Sequence, residues 1–526
     1  MLMQTFWLLT TLLTTPPASV QADYVIAGVE IHDGSGGPAR RGDLAIAGER
    51  IVAVGRFEVA GEPRRIDGAG LIAAPGFIDV HTHCDGGITK DKTRLNQNYL
   101  TQGVTTVVTG NCGGGPADVG RFLQDVDRGG AGTNVAHLVP HGAVRSKVMG
   151  GVKRPPTADE LERMKQLVAA GMRDGAWGMS TGLIYTPGCY ADTDELVELS
   201  QVVARHGGLY VSHIRGEGEG LPEAVREAIA IGQRAGLPVH ISHFKASGPA
   251  AWGLSADAIR QIQAARDAGR IVTADQYPYV ASSTSLAAMV VPEEYRSKAR
   301  LADALADPQQ AANLRGRVTE LLAARTGGKS LVVASYPPNR SFQGQNLADL
   351  AQQRQCSLVD LVLEIQQNGG ASMVNFGMQE DEVRRIMQFP QVATASDGGS
   401  CVPDATVPHP RNYGCFPRKI GRYAIEWQVL SLEAAIRSAT GLPADVFGFD
   451  RRGYLHENWF ADVVVFDPQT FRDTATFEQP HHYATGVRYL FVNGRLAIDD
   501  GQVTSELAGR ALRHGAATPA VAEDAG

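Results

Sequence analysis

Clusters of basic residues, abundant cysteine and long apolar runs are all missing from this sequence. Lysine and arginine number 49 against 56 aspartates and glutamates, and no run of them could follow a phosphate backbone. Nucleic acid is therefore excluded as a partner. Six cysteines in 526 residues are too few for the dense disulfide framework that supports small secreted domains. Cysteine usage alone therefore does not indicate a cellular compartment.

The main apolar segment is short and lies at the N-terminus. Residues 6–13 form an apolar core that cannot span a bilayer, and the small-residue sequence VQA follows some way behind it. This pattern predicts an export signal over residues 1–22, and hence a periplasmic or secreted protein with no stable membrane association after signal removal. The segment lacks the lysine or arginine that usually precedes the apolar core. The alternative is a misassigned start, with a cytoplasmic chain that begins near Asp23.

Strand-like alternation occurs near both ends of a chain whose composition, 43% apolar and 20% charged, is that of a globular protein. Apolar and polar residues alternate between glycine-rich turns in DLAIAGERIVAVG and again in GVRYLFVNGRLAIDDGQV. We predict that residues 23–74 and 441–513 together form one small β-sandwich domain. The small residues of 514–526 predict a flexible tail.

The long middle of the chain has a different rhythm, in which short apolar strands alternate with amphipathic helices. We predict eight such strands, at the segments 76–83, 104–112, 134–140, 176–181, 208–213, 237–243, 270–276 and 391–397. Eight βα units indicate an α/β fold, a (β/α)8 barrel of the TIM type over residues 75–440. The segment 284–345 lies between the last two strands and is too long for an ordinary loop. We therefore predict that it forms a lid or insertion.

Two histidines close the first predicted strand, in the sequence APGFIDVHTHCD. Because side chains alternate along a strand, His81 and His83 would point the same way, about 7 Å apart. Alone, such a pair fits either a metal site or two polar residues at a strand end. The C-terminal ends of the strands in a barrel, however, meet at one face that carries the chemistry. Other predicted strand ends carry Cys112, His213, His243 and Asp397.

Imidazole, thiolate and carboxylate groups together are typical of a zinc centre, whereas Mg²⁺ and Ca²⁺ favour oxygen ligands. The strand ends therefore predict a zinc-like metal site. Alternation along the sixth strand predicts that Val239, Ile241 and His243 share the face that points into the barrel. His240 would then lie on the opposite face, packed beneath a helix.

A series of motifs resembles one known family. In order, they are APGFIDVHTH, GNCG, STGLIYTPG, SHIRGE, SHFKASG, QYPYVASST, ASDGG, HPRNYGCFPR, TGLPA and a closing ADVVVFDP with VNG. They resemble the D-aminoacylase (N-acyl-D-amino-acid deacylase) group of the amidohydrolase superfamily, over nearly the whole chain from Asp23 to Arg513. The resemblance implies the barrel, a β-sandwich made from both termini, and zinc-dependent hydrolysis of the linear amide bond of N-acyl-D-amino acids.

The resemblance also implies a role for each residue at the strand ends. A tightly bound zinc ion would lie on Cys112, His213 and His243. A second, weaker metal site would lie on His81 and His83, with the thiolate of Cys112 shared between the two. Asp397 would be the catalytic carboxylate. One position departs from the family pattern, because Cys84 stands where an aspartate usually follows H-T-H; on a continuing strand its thiol faces away and leaves the ligands unaffected.

The free carboxylate of an N-acyl amino acid requires a cationic or hydroxyl partner. On a continuing strand, Lys245 would extend its ammonium over the site as a point charge. The resemblance assigns the carboxylate to Lys245, Tyr277 and Ser283. Tyr185 is a candidate donor to the developing oxyanion, or a residue of loop packing. Arg215 is a candidate partner for an acidic substrate side chain, or a member of a structural ion pair.

Other functions fit parts of the sequence. A dipeptidase that cleaves before a C-terminal D-residue would use the same site. A cyclic amidase of the hydantoinase type would carry a carboxylated lysine on the fourth strand, and AWGMST offers none. A binding protein that kept the fold without the chemistry would not need Asp397 beside the metal. The retained carboxylate therefore favours an enzyme that acts on a small N-acyl amino acid.

Overall fold

The structure, a computed structural model, describes residues 19–515. Most of the predicted export signal, residues 1–18, and most of the predicted tail, residues 516–526, lie outside this range. Within 19–515, no helix is both long and apolar enough to cross a bilayer.

The N-terminal segment is a series of short strands, as the alternation of apolar and polar residues predicts. In chain order they are β1 (Ser19–Gln21), β2 (Tyr24–Ile31), β3 (Arg40–Ala47), β4 (Arg50–Gly55), β5 (Glu58–Ala60), β6 (Arg64–Asp67) and β7 (Ile72–Pro75). Strands β2, β3 and β4 form an antiparallel meander, and β7 pairs with β2 in parallel. The apolar faces of β2 and β3 enclose a core that includes Ile26, Leu44 and Ile46.

The first seven barrel strands follow, joined by helices. The elements are β8 (Phe77–Asp79), α1 (Gln97–Leu100), β9 (Val104–Thr109), α2 (Val119–Gly129), β10 (Asn134–His137), β11 (Val139–Pro140), α3 (His141–Met149), α4 (Ala158–Arg173), β12 (Gly178–Gly182), α5 (Thr193–Arg205), β13 (Leu209–His213), α6 (Leu221–Ala235), β14 (Val239–Ile241), α7 (Leu254–Asp267) and β15 (Val272–Gln276). Strands β10 and β11 are two pieces of the third predicted strand. Helix α4 begins with a capping box, in which Thr157 and Glu160 satisfy each other's backbone N–H groups.

An insertion with its own sheet and core separates the last two barrel strands. Its elements are β16 (Ser282–Ser285), α8 (Leu286–Val290), α9 (Lys298–Ala306), α10 (Pro308–Ala323), β17 (Leu331–Ser335), α11 (Leu347–Gln353), α12 (Leu358–Gln367) and β18 (Ser372–Asn375). The insertion is longer than the predicted 284–345, because β18 pairs antiparallel with both β16 and β17 and so holds α11 and α12 in the same unit. Residues such as Leu314, Val318 and Met373 form a core separate from that of the barrel.

The remaining elements close the barrel and complete the N-terminal sheet. They are α13 (Glu380–Met387), β19 (Val392–Thr394), α14 (Arg411–Pro417), a π-helix (Arg418–Glu426), α15 (Leu432–Ala439), α16 (Gly441–Phe447), β20 (Val463–Phe466), β21 (Val487–Val492), β22 (Arg495–Asp499) and β23 (Gln502–Val503). Short 3₁₀ helices occupy Cys84–Gly86, Asn111–Gly113, Gly188–Tyr190, Pro249–Ala251, Glu293–Tyr295, Thr326–Gly328 and Arg340–Phe342.

Closure of the barrel is visible in the backbone between the first and last strands. β19 pairs in parallel with β15, and the N–H of Asp397 donates to the carbonyl of His81 at 2.8 Å. At the other end of the chain, β20 pairs antiparallel with β7, so that one nine-stranded sheet contains strands from both termini. The predicted α/β barrel, with a β domain from both chain ends and an insertion before the last strand, is confirmed.

One expectation about strand faces was wrong. The side chain of Val239 lies against helix α6, where a Cβ on Gly232 would come within 2.1 Å of it, so Val239 faces outward. His240 instead points into the barrel, with its ring 6.0 Å from that of Phe447 and its Nε2 3.0 Å from Oδ2 of Asp275.

The reason for the error is local backbone geometry. Strand β14 ends at Ile241, and His243 has a φ of 34°, in the left-handed region. The alternation of side chains therefore stops before the candidate ligand is reached, and His243 cannot be used to infer the face of its neighbours.

Lys419, in the π-helix, is 1% exposed, and its Nζ has no hydrogen-bond partner among residues 19–515. Burial lowers the pKa of this lysine from 10.5 to about 7. Because the folded-state pKa is below the unfolded one, the group destabilises the fold fully below pH 7, and the cost vanishes as the pH rises toward 10.5. We expect Lys419→Met to raise the free energy of unfolding at pH 7 by about 4 kcal/mol.

Urea unfolding of both proteins at pH 7 and pH 10 measures this gain. The difference between variant and wild type should be several-fold smaller at pH 10, where the unfolded lysine is itself partly neutral. Lys298→Met, at an exposed position of α9, is the matched control and should change stability by less than about 0.5 kcal/mol. A variant less stable than wild type at pH 7, or a gain unaffected by pH, would contradict the assignment.

Candidate metal centre

Cys112 lies at the centre of the predicted ligands. Its Sγ is 3.4 Å from Nε2 of His81, 3.6 Å from Nδ1 of His213 and 3.5 Å from Nε2 of His243. The thiol is brought there by a tight turn after β9, in which Cys112 has a φ of 53°. The turn packs against β12, where a Cβ on Gly182 would lie 2.1 Å from the carbonyl oxygen of Cys112. Because Gly182, the glycine of the STG motif, has no side chain, the backbone of Cys112 can lie against β12.

The cluster fits zinc in both distances and protonation. With Zn–S near 2.3 Å and Zn–N near 2.0–2.1 Å, two ligand atoms of a tetrahedral zinc lie about 3.5 Å apart, close to the three distances from Cys112. Burial lowers the pKa of His81 and His213, so both imidazoles are neutral, which is the form that binds metal. Burial raises the pKa of the Cys112 thiol well above its ordinary value, so a thiolate at this position requires a cation.

Asp397 lies at the edge of the cluster and connects it to a cation. Its Oδ1 is 3.1 Å from Nε2 of His83 and 3.6 Å from Nε2 of His81. Its Oδ2 is 2.8 Å from Nη1 of Arg411. Burial acts to raise the pKa of Asp397, but Arg411 and the neighbouring imidazoles outweigh it and hold this pKa well below the usual range. The carboxylate is therefore ionised and able to accept a proton.

Both histidines of the H-T-H motif contact Asp397, although they do not lie on a continuous strand. Strand β8 ends at Asp79, and the rings of His81 and His83 are 5.6 Å apart, in an edge-on arrangement. Cys84, one residue further, is fully buried away from the cluster. The ligand atoms of His81, His83 and Asp397 form one compact group, which overlaps the group of His81, Cys112 and His243.

Arg411 was missed as a member of the site. It occupies the first turn of α14, in the motif HPRNYG, and its guanidinium lies 4.9 Å from the ring centre of Tyr277. It is 6% exposed, and Asp397 is its carboxylate partner. The sequence did not indicate that Arg411 belongs to the site, because its motif is far from any strand end. Only the fold brings α14 back over the barrel.

Glu217 was also missed, although it belongs to the quoted motif SHIRGE. Its Oε1 is 2.5 Å from Nζ of Lys245 and 2.9 Å from Nδ1 of His243. A carboxylate on the far nitrogen of a candidate ligand fixes the ring and directs its other nitrogen to the metal. Lys245, the adjacent His243 and the nearby His213 hold the pKa of Glu217 well below its usual range, despite the opposing effect of burial.

Asp275, at the end of β15, performs a similar function on the other side of the cluster. Its Oδ2 is 3.3 Å from Nδ1 of His81, and its Oδ1 accepts the backbone N–H of His243 at 2.7 Å. One fully buried carboxylate thus orients the His81 ring and holds the turn that carries His243. The sequence signal was the one charged residue of the strand VTADQ, which could have been examined as a buried charge.

A cavity of about 990 Å³ opens over the cluster, between the barrel and the insertion. The predicted substrate residues Lys245, Tyr277, Ser283 and Tyr185 all line it. The hydroxyl of Tyr277 is buried and has no hydrogen-bond partner among the described residues, so a donor is left for a ligand. The hydroxyl of Tyr185 contacts Oγ1 of Thr284 at 3.0 Å, which ties it to the insertion.

Arg215 does not reach this cavity. Its Nε and Nη2 bind the carboxylate of Glu227, both at 2.9 Å, and its two terminal nitrogens donate to the carbonyls of Cys189 and Ala191. The bidentate pair occupies the guanidinium. Of the two predicted roles for Arg215, the structure supports the structural ion pair, and the contact with an acidic substrate side chain stays a prediction.

Comparison with known proteins identifies the family. A model described as the amidohydrolase family matches residues 64–498. The chain belongs to the amidohydrolase family. This amidohydrolase is 37% identical to a D-aminoacylase of Alcaligenes xylosoxydans xylosoxydans over 94% of its own length and 98% of that protein. It is 37% identical to an N-acyl-D-glutamate deacylase of the same organism, over 94% and 97%.

A solved structure supports the same group. The N-acyl-D-glutamate deacylase of Bordetella bronchiseptica, complexed with zinc and a phosphonate inhibitor, superimposes on this amidohydrolase with a TM-score of 0.80 at 34% identity, over 94% of this chain and 100% of that one. The predicted membership of the D-aminoacylase group and the prediction of a metal-dependent amidohydrolase are confirmed. The roles of the individual residues remain predictions.

The contacts of Cys112 and His83 predict unequal effects on metal content. Cys112→Ala removes the one atom that contacts three imidazoles, whereas His83→Ala removes a side chain that is 41% exposed and lies at the edge of the cluster, against Asp397 and the ring of His81. We expect elemental analysis after dialysis to show loss of most zinc from Cys112→Ala and retention of at least one equivalent by His83→Ala. Equal losses would contradict the central position of the thiolate.

Proposed function

We propose that this amidohydrolase hydrolyses the amide bond of N-acyl-D-amino acids, producing a carboxylate and a free D-amino acid. The observation that carries the proposal is the position of Asp397, an ionised carboxylate with one oxygen toward the imidazoles and the other held by Arg411. Both oxygens are thereby fixed in orientation at the floor of the cavity. The names of the relatives, D-aminoacylase and N-acyl-D-glutamate deacylase, support the substrate class.

Cys112, His213 and His243 would hold the principal zinc ion, and His81 and His83 a second one, with the Cys112 thiolate shared between them. When bound, zinc lowers the pKa of a water molecule and polarises the scissile carbonyl. Glu217 and Asp275 keep the rings of His243 and His81 in the orientation that this binding needs.

Asp397 carries the proton in this proposal. Its Oδ1, the oxygen that faces the imidazoles, takes a proton from the attacking water, and the same oxygen then delivers that proton to the nitrogen of the leaving amine. Without the second transfer the amine is a poor leaving group. Arg411 favours the ionised form before attack, because its charge is 2.8 Å from the other carboxylate oxygen.

Cationic and hydroxyl donors at one end of the cavity would hold the free carboxylate of the substrate. Arg411 and the unpartnered hydroxyl of Tyr277 lie together there, with Lys245 5.7 Å from the ring of Tyr277. Ser283 lines the same cavity. Charge-assisted hydrogen bonds from these groups would orient the substrate, so that the amide carbonyl faces the metal ligands.

A panel of substrates tests the function. Purified, zinc-loaded protein is offered N-acetyl amino acids of both hands, dipeptides with a C-terminal D-residue and a hydantoin, and release of amine or ring opening is measured. We expect turnover of N-acetyl-D-amino acids well above that of their L-counterparts. Turnover confined to dipeptides or to the hydantoin would replace the proposal with a different amidase activity.

A further inference from the structure

A second cavity of about 730 Å³ lies beside the first, between the insertion and the loops that follow β12, β13 and β14. Ile184 and Glu217 line both cavities and so form part of the wall between them. None of the candidate metal ligands lines the second cavity. The second cavity therefore adjoins the metal centre through Glu217 but is not formed by the predicted ligands.

Two arginines of the insertion line this cavity without a carboxylate partner among the described residues. Arg296 donates only to backbone carbonyls, among them that of Ile184 at 2.5 Å. Arg325 donates to the carbonyl of Leu321, and its buried Nε has no acceptor. Two cationic groups thus face one cavity with N–H donors to spare.

The acidic residues that line the cavity form no ion pair with either arginine, although the charge of Glu293 lies close enough to act on Arg296. Glu217 is bound to Lys245, and Glu293 to Lys153. Glu219, the third acid, is exposed to solvent. Arg325 is therefore the cation of this cavity that has no carboxylate close by among the described residues.

A further pair of polar groups surrounds an open space at Gly377. Asn375 is 6% exposed; its Oδ1 accepts from Ser330, while its Nδ2 has no acceptor within residues 19–515. A Cβ placed on Gly377 would lie 2.9 Å from that Nδ2 and 3.1 Å from Oγ of Ser247. The absence of a side chain at Gly377 leaves room for a ligand atom next to two groups that can donate hydrogen bonds.

The cavity also exposes aromatic surface. Trp252 is 42% exposed and Phe376 is 40% exposed, which places both among the few large apolar side chains with high exposure in the described chain. Both line the cavity, together with Leu183 and Ile184. Exposed apolar surface beside unpaired donors is typical of a site for an amphipathic ligand.

We propose that this cavity binds an organic monocarboxylate with an apolar tail. The carboxylate accepts hydrogen bonds from Arg325, Asn375 and Ser247, and the tail lies against Trp252 and Phe376. Inorganic anions carry the charge but no apolar tail, and alcohols carry the tail but no charge. The proposed ligand class requires both the carboxylate and the tail. Binding there does not depend on the reaction at the metal centre.

Fluorescence of Trp252 provides a direct measurement, because this residue lines only the second cavity. The full-length, zinc-loaded protein is titrated with sodium octanoate, with octanol and with inorganic phosphate. We expect a saturable change with octanoate, binding at least about tenfold weaker with each of the other two, and loss of the signal in Trp252→Phe. Equal binding of octanol would overturn the assignment of the arginine and amide groups.

Three variants locate the site. Arg325→Gln removes the charge and should weaken octanoate binding at least about tenfold. Gly377→Ala keeps every charge but fills the space beside Asn375, and should have a comparable effect even if Arg325→Gln proves unstable. Arg300→Gln, at an exposed position of α9 outside the cavity, is the control and should bind as wild type. Wild-type affinity in both Arg325→Gln and Gly377→Ala would show that the cavity is not the site.

Discussion

Asp397→Asn should lower kcat by at least about 10²-fold while zinc content and fold are retained. The amide has nearly the volume of the carboxylate but cannot accept and return a proton. Asparagine also suits the backbone, since residue 397 has a φ of 51° and asparagine tolerates this left-handed region better than most residues. Steady-state kinetics with an N-acetyl-D-amino acid measure kcat. Elemental analysis measures the zinc content, and circular dichroism reports on the fold.

A matched control separates this effect from loss of a negative charge in general. Asp303→Asn, on the exposed face of α9, removes one carboxylate from the insertion and should leave kcat within about twofold of wild type. If Asp397→Asn retains a rate within tenfold of wild type, with zinc bound, the proton is carried by another group and the proposed mechanism fails.

Lys245→Met should reduce kcat/KM for an N-acyl-D-amino acid by about 10- to 150-fold, the range expected for one charge-assisted hydrogen bond of 1.5–3 kcal/mol. Methionine preserves most of the stem, and the loss should be selective. An N-acyl amine that lacks the free carboxylate gains nothing from the ammonium, so its slower turnover should change by less than about threefold. Kinetics on both substrates measure the ratio.

The structure supplies the control for this prediction. Glu217 contacts both Lys245 and His243, so Glu217→Gln disturbs a candidate metal ligand together with the lysine. It should slow both substrates by a similar factor. Should Lys245→Met behave in that same unselective way, the lysine acts on the cluster, through Glu217 or through its own contact with Nδ1 of His243 at 2.8 Å, and the substrate carboxylate is held by other groups of the cavity.

The sequence allowed us to predict the site residues that directly follow barrel strands. It did not allow us to predict those that other parts of the chain bring to the site. The eight strand ends were found because each short apolar run is buried and punctuated by turns. Arg411 belongs to the helix that follows the last strand, and it reaches Asp397 because the intervening segment, residues 398–410, folds back. Glu217 and Asp275 orient the imidazole rings of neighbouring histidines. The spacing of residues in the sequence does not indicate which ring a buried carboxylate contacts.

Side-chain alternation was the least reliable argument near the site, for a physical reason. Cys112, His243 and Asp397 have φ values of 53°, 34° and 51°, so the chain leaves the extended conformation at the functional positions themselves. The assignment of His240 to the outer face failed there. The insertion was underestimated because helices α11 and α12 have ordinary amphipathic patterns, and only the pairing of β18 shows to which unit they belong.

The sheet shared by the two chain ends also determines the order in which the protein can be completed during synthesis. Strand β7 emerges early from the ribosome, but its antiparallel partner β20 emerges only after the whole barrel and insertion. Until then one edge of the N-terminal sheet is open and can pair with another chain. We infer that nascent or truncated chains ending before Val463 are the forms most prone to aggregation, and that yield in a host depends on how well that edge is shielded while the ribosome finishes.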